Sequence, residues 1–414
     1  MLKISSILKK WTETNLMLRI LGGLVVGAFL GLTVPEWQGI SILGHVFVSA
    51  LKAIAPVLVA VLVASSVAKA GGGLGPRFRI LVLLYLLTTF IAAVIAVIGS
   101  FLFPVTLELR DVVPQQAPGA LTDVFTNLLT NMVTNPLMSL SNANYIGILF
   151  WSILIGLALK QKGSATTIGV VHDFADVFSL TVKWIIQFAP FGILGLVFSS
   201  VSESGLEVFT TYGHLVLLLV GCMLFNALVA NPLVAFLLLR RNPYPLLFTC
   251  LKESGLNAFF TRSSAANIPI NMNLCKKMGL NEEFYSVSIP LGATINMDGA
   301  AVTITVLSLA VAHTVGVEVS FASALFLGII STIGACGASG VAGGSLLLVP
   351  MACSFFGIEN DIAMQAVAIG FIIGVVQDSV ETALNSSGDA FFTATAEFYD
   401  QKRQEKKDED AIST

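Results

Sequence analysis

The sequence predicts an all-α polytopic membrane protein, and three observations carry that prediction. Charged residues are only 11% of the 414, with 22 Lys+Arg and 25 Asp+Glu, whereas an ordinary soluble domain has about 25%. Hydrophobic residues reach 55% and mean hydropathy is +0.86. Residues 80–107, 124–159, 208–239 and 319–358 contain no Asp, Glu, Lys or Arg at all. These runs are continuously apolar, without the alternation a membrane barrel needs, so helices satisfy the backbone. So few charges cannot cover a soluble surface of this size, which excludes a cytosolic enzyme, a nucleic-acid binder and a disordered chain.

A helix crosses a bilayer in about 20 mostly apolar residues. On that length the expected spans are 16–35, 42–68, 79–104, 143–159, 168–201, 208–239, 284–313 and 361–390. The first, Leu16 to Val34, is too long for a signal core and lacks a following cleavage site, so it reads as a retained span. Two further apolar stretches, near 245–274 and 322–357, are interrupted at mid-length. The first breaks at Thr261-Arg262-Ser263-Ser264-Ala265-Ala266-Asn267, the second at Gly334 to Gly340 with Gly343-Gly344 behind. Each is either a re-entrant hairpin, tolerated where protein or water meets the open backbone, or a pair of kinked spans.

Basic residues predict the orientation. Lys3, Lys9 and Lys10, then Lys69, Arg77 and Arg79, then Lys160 and Lys162, Arg240 and Arg241, Lys276 and Lys277, and Lys402, Arg403, Lys406 and Lys407 alternate with acidic loops. The opposite loops hold Glu36, Glu108, Asp111, Asp123, Glu203, Glu207, Glu318 and Glu359, with Arg110 the single base. The excess of bases on one side places both termini in the cytoplasm. The 18 residues from Glu397 carry ten charges and read as a solvated cytoplasmic end. Five dispersed Cys, without metal or CxxC spacing, read as small apolar packers, and the four isolated His do not form a ligand set.

Ionisable residues at membrane depth are costly and therefore functional candidates. The seventh span holds Gly292-Ala293-Thr294-Ile295-Asn296-Met297-Asp298-Gly299, an amide and a carboxylate flanked by glycines that can free carbonyl oxygens. In the eighth, Asp378, Glu381, Thr382, Asn385 and Asp389 follow at steps of three or four and so line one helical face. Four carboxylates, Asp298, Asp378, Glu381 and Asp389, meet one nearby base, Arg262. Carboxylates in that excess protonate or bind cations, and an oxygen set without sulfur or imidazole suits a hard cation such as sodium. Tyr85, Thr88 and Thr89 of the third span add hydroxyls within about one turn, with interhelical packing as the alternative role. Free amides and hydroxyls at Ser263, Ser264 and Asn267, and at Gly337 to Gly340, would meet a carboxylate, while Asp378 would meet an ammonium group. Together they outline a site for a zwitterion with sodium close by.

Four stretches carry a resemblance: TRSS from Thr261, PLGATINMDG from Pro290, the glycine-rich second tip, and D-x-x-x-T-x-x-N-x-x-x-D from Asp378, with LYLLTT from Leu84 in support. Over nearly its whole length the chain resembles the dicarboxylate/amino acid:cation symporters, and most of all their bacterial sodium-coupled serine/threonine branch. The resemblance implies a glutamate-transporter-like fold of eight transmembrane helices plus two re-entrant helical hairpins, built as inverted repeats, in a homotrimer of the bacterial inner membrane. It implies a scaffold of residues 1–78 and 105–205, a moving transport domain of 79–104 and 206–396, and a charged tail, 397–414. Uptake would be sodium symport of L-serine and L-threonine by an elevator movement, with no enzymatic step and no organic cofactor.

By matching position, the resemblance assigns one sodium to Asn296, Asn385, Asp389 and the Gly292 carbonyl. It assigns a second to Thr294 and the carbonyls of Ser331, Ile333 and Ala335, and a third to Tyr85, Thr88, Thr89, Asn296 and Asp298. Substrate contacts fall on Ser263, Ser264, Ala338, Ser339, Gly340, Asp378, Glu381, Thr382 and Asn385. Three departures stand out. Glu381 replaces an arginine that pairs with the side chain of acidic substrates; a carboxylate repels that group but hydrogen-bonds a hydroxyl. Ser339 stands where relatives often have proline, and Gly374 where some carry aspartate. A broader neutral amino acid carrier or an exchanger is the near alternative. An ion channel is a distant one, needing a filter but no ammonium partner. An intramembrane hydrolase lacks a Ser/His or Ser/Lys pair and an HExxH motif.

Overall fold

The computed structural model describes residues 14, 16–69, 75–109, 130, 132–205, 208–336, 338 and 343–412. Within these residues the regular structure is helical throughout. Lys3, Lys9, Lys10, Arg110, Asp111, Asp123, Glu207, Gly337, Ser339 and Gly340 lie outside the described residues. Among the described residues five helical segments are long and apolar enough to cross a membrane, Gln38–Lys69, Arg77–Leu102, Tyr212–Leu239, Glu282–Thr314 and Asn360–Gln404, and six when the bent pair Ala165–Gln187 and Ala189–Ser202 is taken as one.

The helices run α1 (Leu16–Thr33), α2 (Ser41–Lys69), α3 (Gly75–Leu102), short α4 (Pro136–Ser141), α5 (Tyr145–Lys162), α6 (Ala165–Gln187) and α7 (Ala189–Ser204). The second half continues with α8 (Val208–Phe225), a π turn at Asn226–Ala230, and α9 (Asn231–Leu239). The first hairpin is α10 (Tyr244–Cys250), a π turn at Leu251–Gly255, α11 (Leu256–Thr261) and α12 (Ser264–Lys277). Then come α13 (Glu282–Ile295), α14 (Asp298–Thr314), α15 (Phe321–Ala335), α16 (Val349–Ser354) and the 53-residue α17 (Asn360–Ile412).

Glycine sets how closely one group of helices packs. Gly23, Gly27 and Gly31 lie four apart on α1, and a Cβ at Gly27 or Gly31 would stand 2.5 or 3.0 Å from the carbonyl oxygens of Leu194 or Phe198 on α7. At Gly23 the clash would be with the Pro190 carbonyl. The two backbones therefore touch, the approach that small residues permit inside a membrane. Gly44 of α2 meets the Leu196 amide in the same way, and Gly156 of α5 meets Ala64 of α2. The result is that α1, α2, α5, α6 and α7 pack chiefly on one another. A second group surrounds α17, which touches α3, α8 through α14 and α16, while α15 packs on α3 and α14. The groups meet where Phe47 of α2 stacks edge-on against Phe371 of α17, ring centres 5.2 Å apart.

Three expected spans need correction. The fifth, taken as one helix over 168–201, bends by 54° between α6 and α7. Its cause is Pro190 at the start of α7, which has no N–H to continue the ladder. The seventh, taken as 284–313, stands as one candidate crossing, Glu282–Thr314, but its helix is interrupted inside. Asn296 (φ −92°, ψ 77°) and Met297 (φ −119°, ψ 51°) leave the helical region between α13 and α14. The eighth does not end at 390: α17 runs on to Ile412, and the supposed solvated tail begins buried. Glu397 is 3% exposed, and its Oε1 accepts the Asn281 amide at 2.8 Å.

The first interrupted stretch closes by a left-handed residue, Arg262 at φ +53°, followed by extended Ser263, whose side chain accepts the Ala266 amide and caps α12. α11 and α12 meet at this turn and both lie on α17. In the second stretch α15 ends at Ala335 and the chain returns through Gly343 (φ +71°) and a 3₁₀ turn, Leu346–Leu348, into α16.

The α1–α7 contact predicts a sharp contrast between adjacent glycines. Gly23→Ala should cost about 1–3 kcal/mol by overpacking. Gly22→Ala, which meets nothing within 4 Å, should be neutral or stabilising by up to about 1 kcal/mol. Thermal denaturation of the purified variants measures both.

Candidate functional site

The polar face of α17 is buried, and its carboxylates are distributed among separate partners. Asp378 is 2% exposed and takes a charge-assisted bond from Arg262 Nε at 2.6 Å; its Oδ1 accepts the Gly343 amide at 3.1 Å. One side chain thus ties the tip of the first hairpin to the return arm of the second. Arg262 reaches it because the left-handed turn throws that residue inward. The ammonium group expected at Asp378 therefore finds the position already paired with a guanidinium.

One turn along, Glu381 Oε2 accepts Thr303 Oγ1 at 2.7 Å from α14, Ser345 Oγ at 2.9 Å from the return arm and Gln377 Nε2 at 2.5 Å. Thr382 turns its hydroxyl to the Asp378 carbonyl of its own helix at 2.7 Å. Ser264 is buried just behind the Ser263 cap, and Ala338, the described residue of the second tip, is buried as well. Asn385 Oδ1 accepts the Gly299 amide at 2.8 Å, stapling the first turn of α14 to α17.

Deeper on α17, Asp389 gathers the break in the seventh span. Asn296 Nδ2 donates to Asp389 Oδ1 at 3.0 Å and to the Asn385 carbonyl at 3.3 Å. The Tyr85 hydroxyl of α3 lies 3.2 Å from the Asp389 carbonyl, 3.3 Å from the Ser288 carbonyl and 3.1 Å from Thr393 Oγ1. Gly292 faces this cluster: a Cβ there would stand 2.7 Å from Asp389 Oδ1 and 2.8 Å from the Tyr85 hydroxyl. Asp389 Oδ2 and Asn296 Oδ1 are buried and have no partner among the described residues. Unmet acceptors beside an unpaired carboxylate are an arrangement that a small hard cation completes.

Asp298, at the first residue of α14, has its own partners: Thr89 Oγ1 at 3.1 Å and the amides of Asn226 and Asn231 at 2.9 and 2.8 Å. Thr88 bonds carbonyls of its own helix. The group expected around a second cation is looser. Thr294 Oγ1 bonds the Leu291 carbonyl, Ser331 Oγ is buried with no partner among the described residues, Ala335 is buried and Ile333 is exposed. Cys336 Sγ at 3.5 Å from the Ile295 carbonyl brings the end of α15 to the same helix break.

A profile of the sodium:dicarboxylate symporter family matches residues 16–397. Three curated relatives cover 94% of the chain, each named "Serine/threonine transporter SstT". That of Bifidobacterium adolescentis is 56% identical over 394 residues (91% of its length), that of Streptococcus thermophilus 54% over 389 (96%), and that of Streptococcus agalactiae 52% over 395 (97%). The chain belongs to the sodium:dicarboxylate symporter family. As a sodium:dicarboxylate symporter relative it is a transport protein, not an enzyme.

Within this family framework, the site differs from its namesake substrates in charge. Around this stretch of α17 two carboxyl groups, Asp378 and Glu381, stand against the single guanidinium of Arg262. Gly374 turns toward the same arginine: a Cβ there would lie 3.8 Å from Arg262 Nη2. An aspartate in that position would compete with Asp378 for the guanidinium. Asn226, Asn231, Thr303, Ser345 and Gln377 were not picked out by sequence reading. Gln377 and Glu381 share the i, i+4 spacing, and two asparagines inside a neutral run were a usable signal. Thr303 and Ser345 offer none, since only tertiary packing brings them to Glu381.

Gly292→Ala should crowd Asp389 Oδ1. The sodium concentration that gives half the thermal stabilisation of the purified protein is expected to rise roughly tenfold. Gly221→Ala, with nothing within 4 Å, should leave it unchanged.

Proposed function

We propose that this protein takes up serine and threonine by symport with sodium across a bacterial inner membrane, with both termini in the cytoplasm. The observation that carries the proposal is identity of 52–56% over 94% of the chain to relatives named serine/threonine transporters. The chemistry at α17 agrees. A zwitterion brings no net charge to a pocket that already holds two carboxylates and one guanidinium. A substrate with an acidic side chain would add a third carboxylate near Glu381, where like charges repel.

Glu381 also accounts for a hydroxyl requirement. Its carboxylate already accepts three protein donors. A substrate hydroxyl reaching it takes the place of Ser345 or Thr303, whereas a substrate lacking one brings nothing to exchange. The same saturation supports a second reading, a carrier of a broader neutral set including alanine, because the protein donors satisfy Glu381 on their own.

For the cycle we propose an elevator movement in a homotrimer. Residues 79–104 and 206–396 would move as one body against a scaffold of 1–78 and 105–205, with 397–414 as the tail. The packing of α17 with α3, α8 through α14 and α16, of α15 with α3 and α14, and of α1 with α7, is compatible with that division. The second hairpin would gate the site, since its return arm supplies both the Gly343 amide and the Ser345 hydroxyl to α17. The coupling sodium ions would occupy the unmet oxygens at Asp389 and Asn296 and the carboxylate of Asp298. No organic cofactor enters this scheme.

Uptake into sealed proteoliposomes tests the proposal. Labelled serine should accumulate above equilibrium with an inward sodium gradient and fail to do so with potassium; equal accumulation with either ion rules out sodium coupling. Excess unlabelled threonine should compete and aspartate should not, while competition by alanine as strong as by threonine favours the broader carrier. Glu381→Arg should lower serine uptake at least about tenfold, the loss of one buried polar network, and aspartate uptake is measured in the same variant. Undiminished serine uptake would place Glu381 outside the site.

A further inference from the structure

The sixth span carries a feature that the expected site leaves unused. Between α8 and α9 the backbone makes a π turn, Asn226–Ala230, ahead of Pro232. On a regular α-helix two residues five apart point in clearly different directions. The wider turn brings Asn226 and Asn231 to a single atom: both amides donate to Asp298 Oδ2, at 2.9 and 2.8 Å. Such π turns within α-helices occur frequently at functional sites. The other carboxylate oxygen takes the Thr89 hydroxyl at 3.1 Å. In this arrangement Tyr85 and Asn296, assigned to the same ion by resemblance, turn to Asp389.

Asn226 and Asn231 are 2% and 6% exposed, and the Oδ1 atom of each is buried with no partner among the described residues. Leaving one amide oxygen unmet in a buried site is costly, and here two are left beside one carboxylate. A carboxylate accepts only, so it fixes which end of each amide faces it. A half-turn of the terminal amide exchanges donor for acceptor without moving the backbone. Two such turns, with Asp298 and the Thr89 hydroxyl, give an all-oxygen set of carboxylate, two amide carbonyls and an alcohol, the ligand chemistry of a hard cation.

We propose that Asn226 and Asn231 are sodium ligands at Asp298: they hold the carboxylate through their N–H groups when no ion is bound and turn Oδ1 to the ion when it arrives. The proposal rests on the reading of Asp298 as a coupling-ion site. It explains why the donors come as amides, which can serve the carboxylate in both states, where lysine or arginine would compete with the ion.

The test is sodium-dependent thermal stabilisation of the full-length protein in lipid nanodiscs. Sodium chloride is titrated against choline chloride at constant ionic strength, without amino acid, and Tm is read by tryptophan fluorescence. Asn226→Leu and Asn231→Leu should each require roughly tenfold more sodium for half the rise. Asn231→Asp supplies an oxygen but no donor; it should lower Tm in choline and keep or enlarge the rise with sodium. A sodium response in Asn231→Asp weakened as far as in Asn231→Leu would overturn the proposal, because the amides would then serve only as donors. Where a leucine variant fails to fold, Asn231→Asp in sodium against choline decides alone. Asp298→Asn separates the two levels. An unaltered sodium response in that variant removes the ion from Asp298 altogether, whereas a weakened response there with unaltered leucine variants removes only the asparagines.

Discussion

Three carboxylates carried into an apolar interior without a basic partner are the constraint on which the rest of the structure depends. Among the described residues Asp298, Glu381 and Asp389 have no cation beside them, and Asp378 alone is neutralised, by Arg262. Each unpaired charge would be prohibitive in isolation. The protein answers with neutral donors drawn from elements far apart in sequence. Asp298 takes them from α3 and the π turn after α8, Glu381 from α14 and the return arm of the second hairpin, and Asp389 from the break before α14. Neutral donors keep the site electronegative, which a base would not, and that leaves electrostatic room for an ion to bind and to leave.

The breaks in the helices follow from the same need. A continuous helix spends its N–H and carbonyl groups on itself; a broken one can offer them. At Asn296–Met297 the seventh span gives up regular geometry, and the Gly299 amide goes to Asn385 while Cys336 comes within reach of the Ile295 carbonyl. At Arg262 a left-handed residue delivers a guanidinium to Asp378. At Gly343 a positive φ turns an amide to the same carboxylate. In all three places the irregular backbone is enclosed by protein, the condition under which a membrane interior tolerates it.

The helical membrane class and most span positions were legible because long neutral runs permit little else. The polar face of the eighth span was legible because a spacing of three or four is a property of one helix. What stayed hidden involved partners across the chain. Arg262 and Asp378 are separated by 116 positions, and nothing local declares that the left-handed turn aims one at the other. Glycines around the seventh span announced weakness but not that the break would fall at Asn296 and Met297. Pro190 did announce the bend that divides α6 from α7, yet the apolar run across it reads as continuous, and hydropathy outweighed the missing N–H.

The run of α17 past residue 390 to Ile412 gives this arrangement a mechanical consequence. The helix that carries Asp378, Glu381, Asn385 and Asp389 also fastens the ends of its neighbours. Glu397 accepts the Asn281 amide just before α13, and Asn281 Oδ1 in turn accepts Arg77 of α3 at 3.3 Å. Arg77 also lies over the Phe284 ring, 4.9 Å from its centre. Lys402 Nζ reaches the Leu239 carbonyl at the end of α9 at 3.1 Å. Each bond is modest where water is near. Together they join α3, α9 and α13 to α17 at one end, while the buried polar network joins them again at mid-length. Helices tied at two levels resist sliding past each other, so displacement of any one carries the carboxylates and their donors with it. In the elevator movement proposed above, such ties would keep the carboxylates and their donors together while the site changes the side it faces.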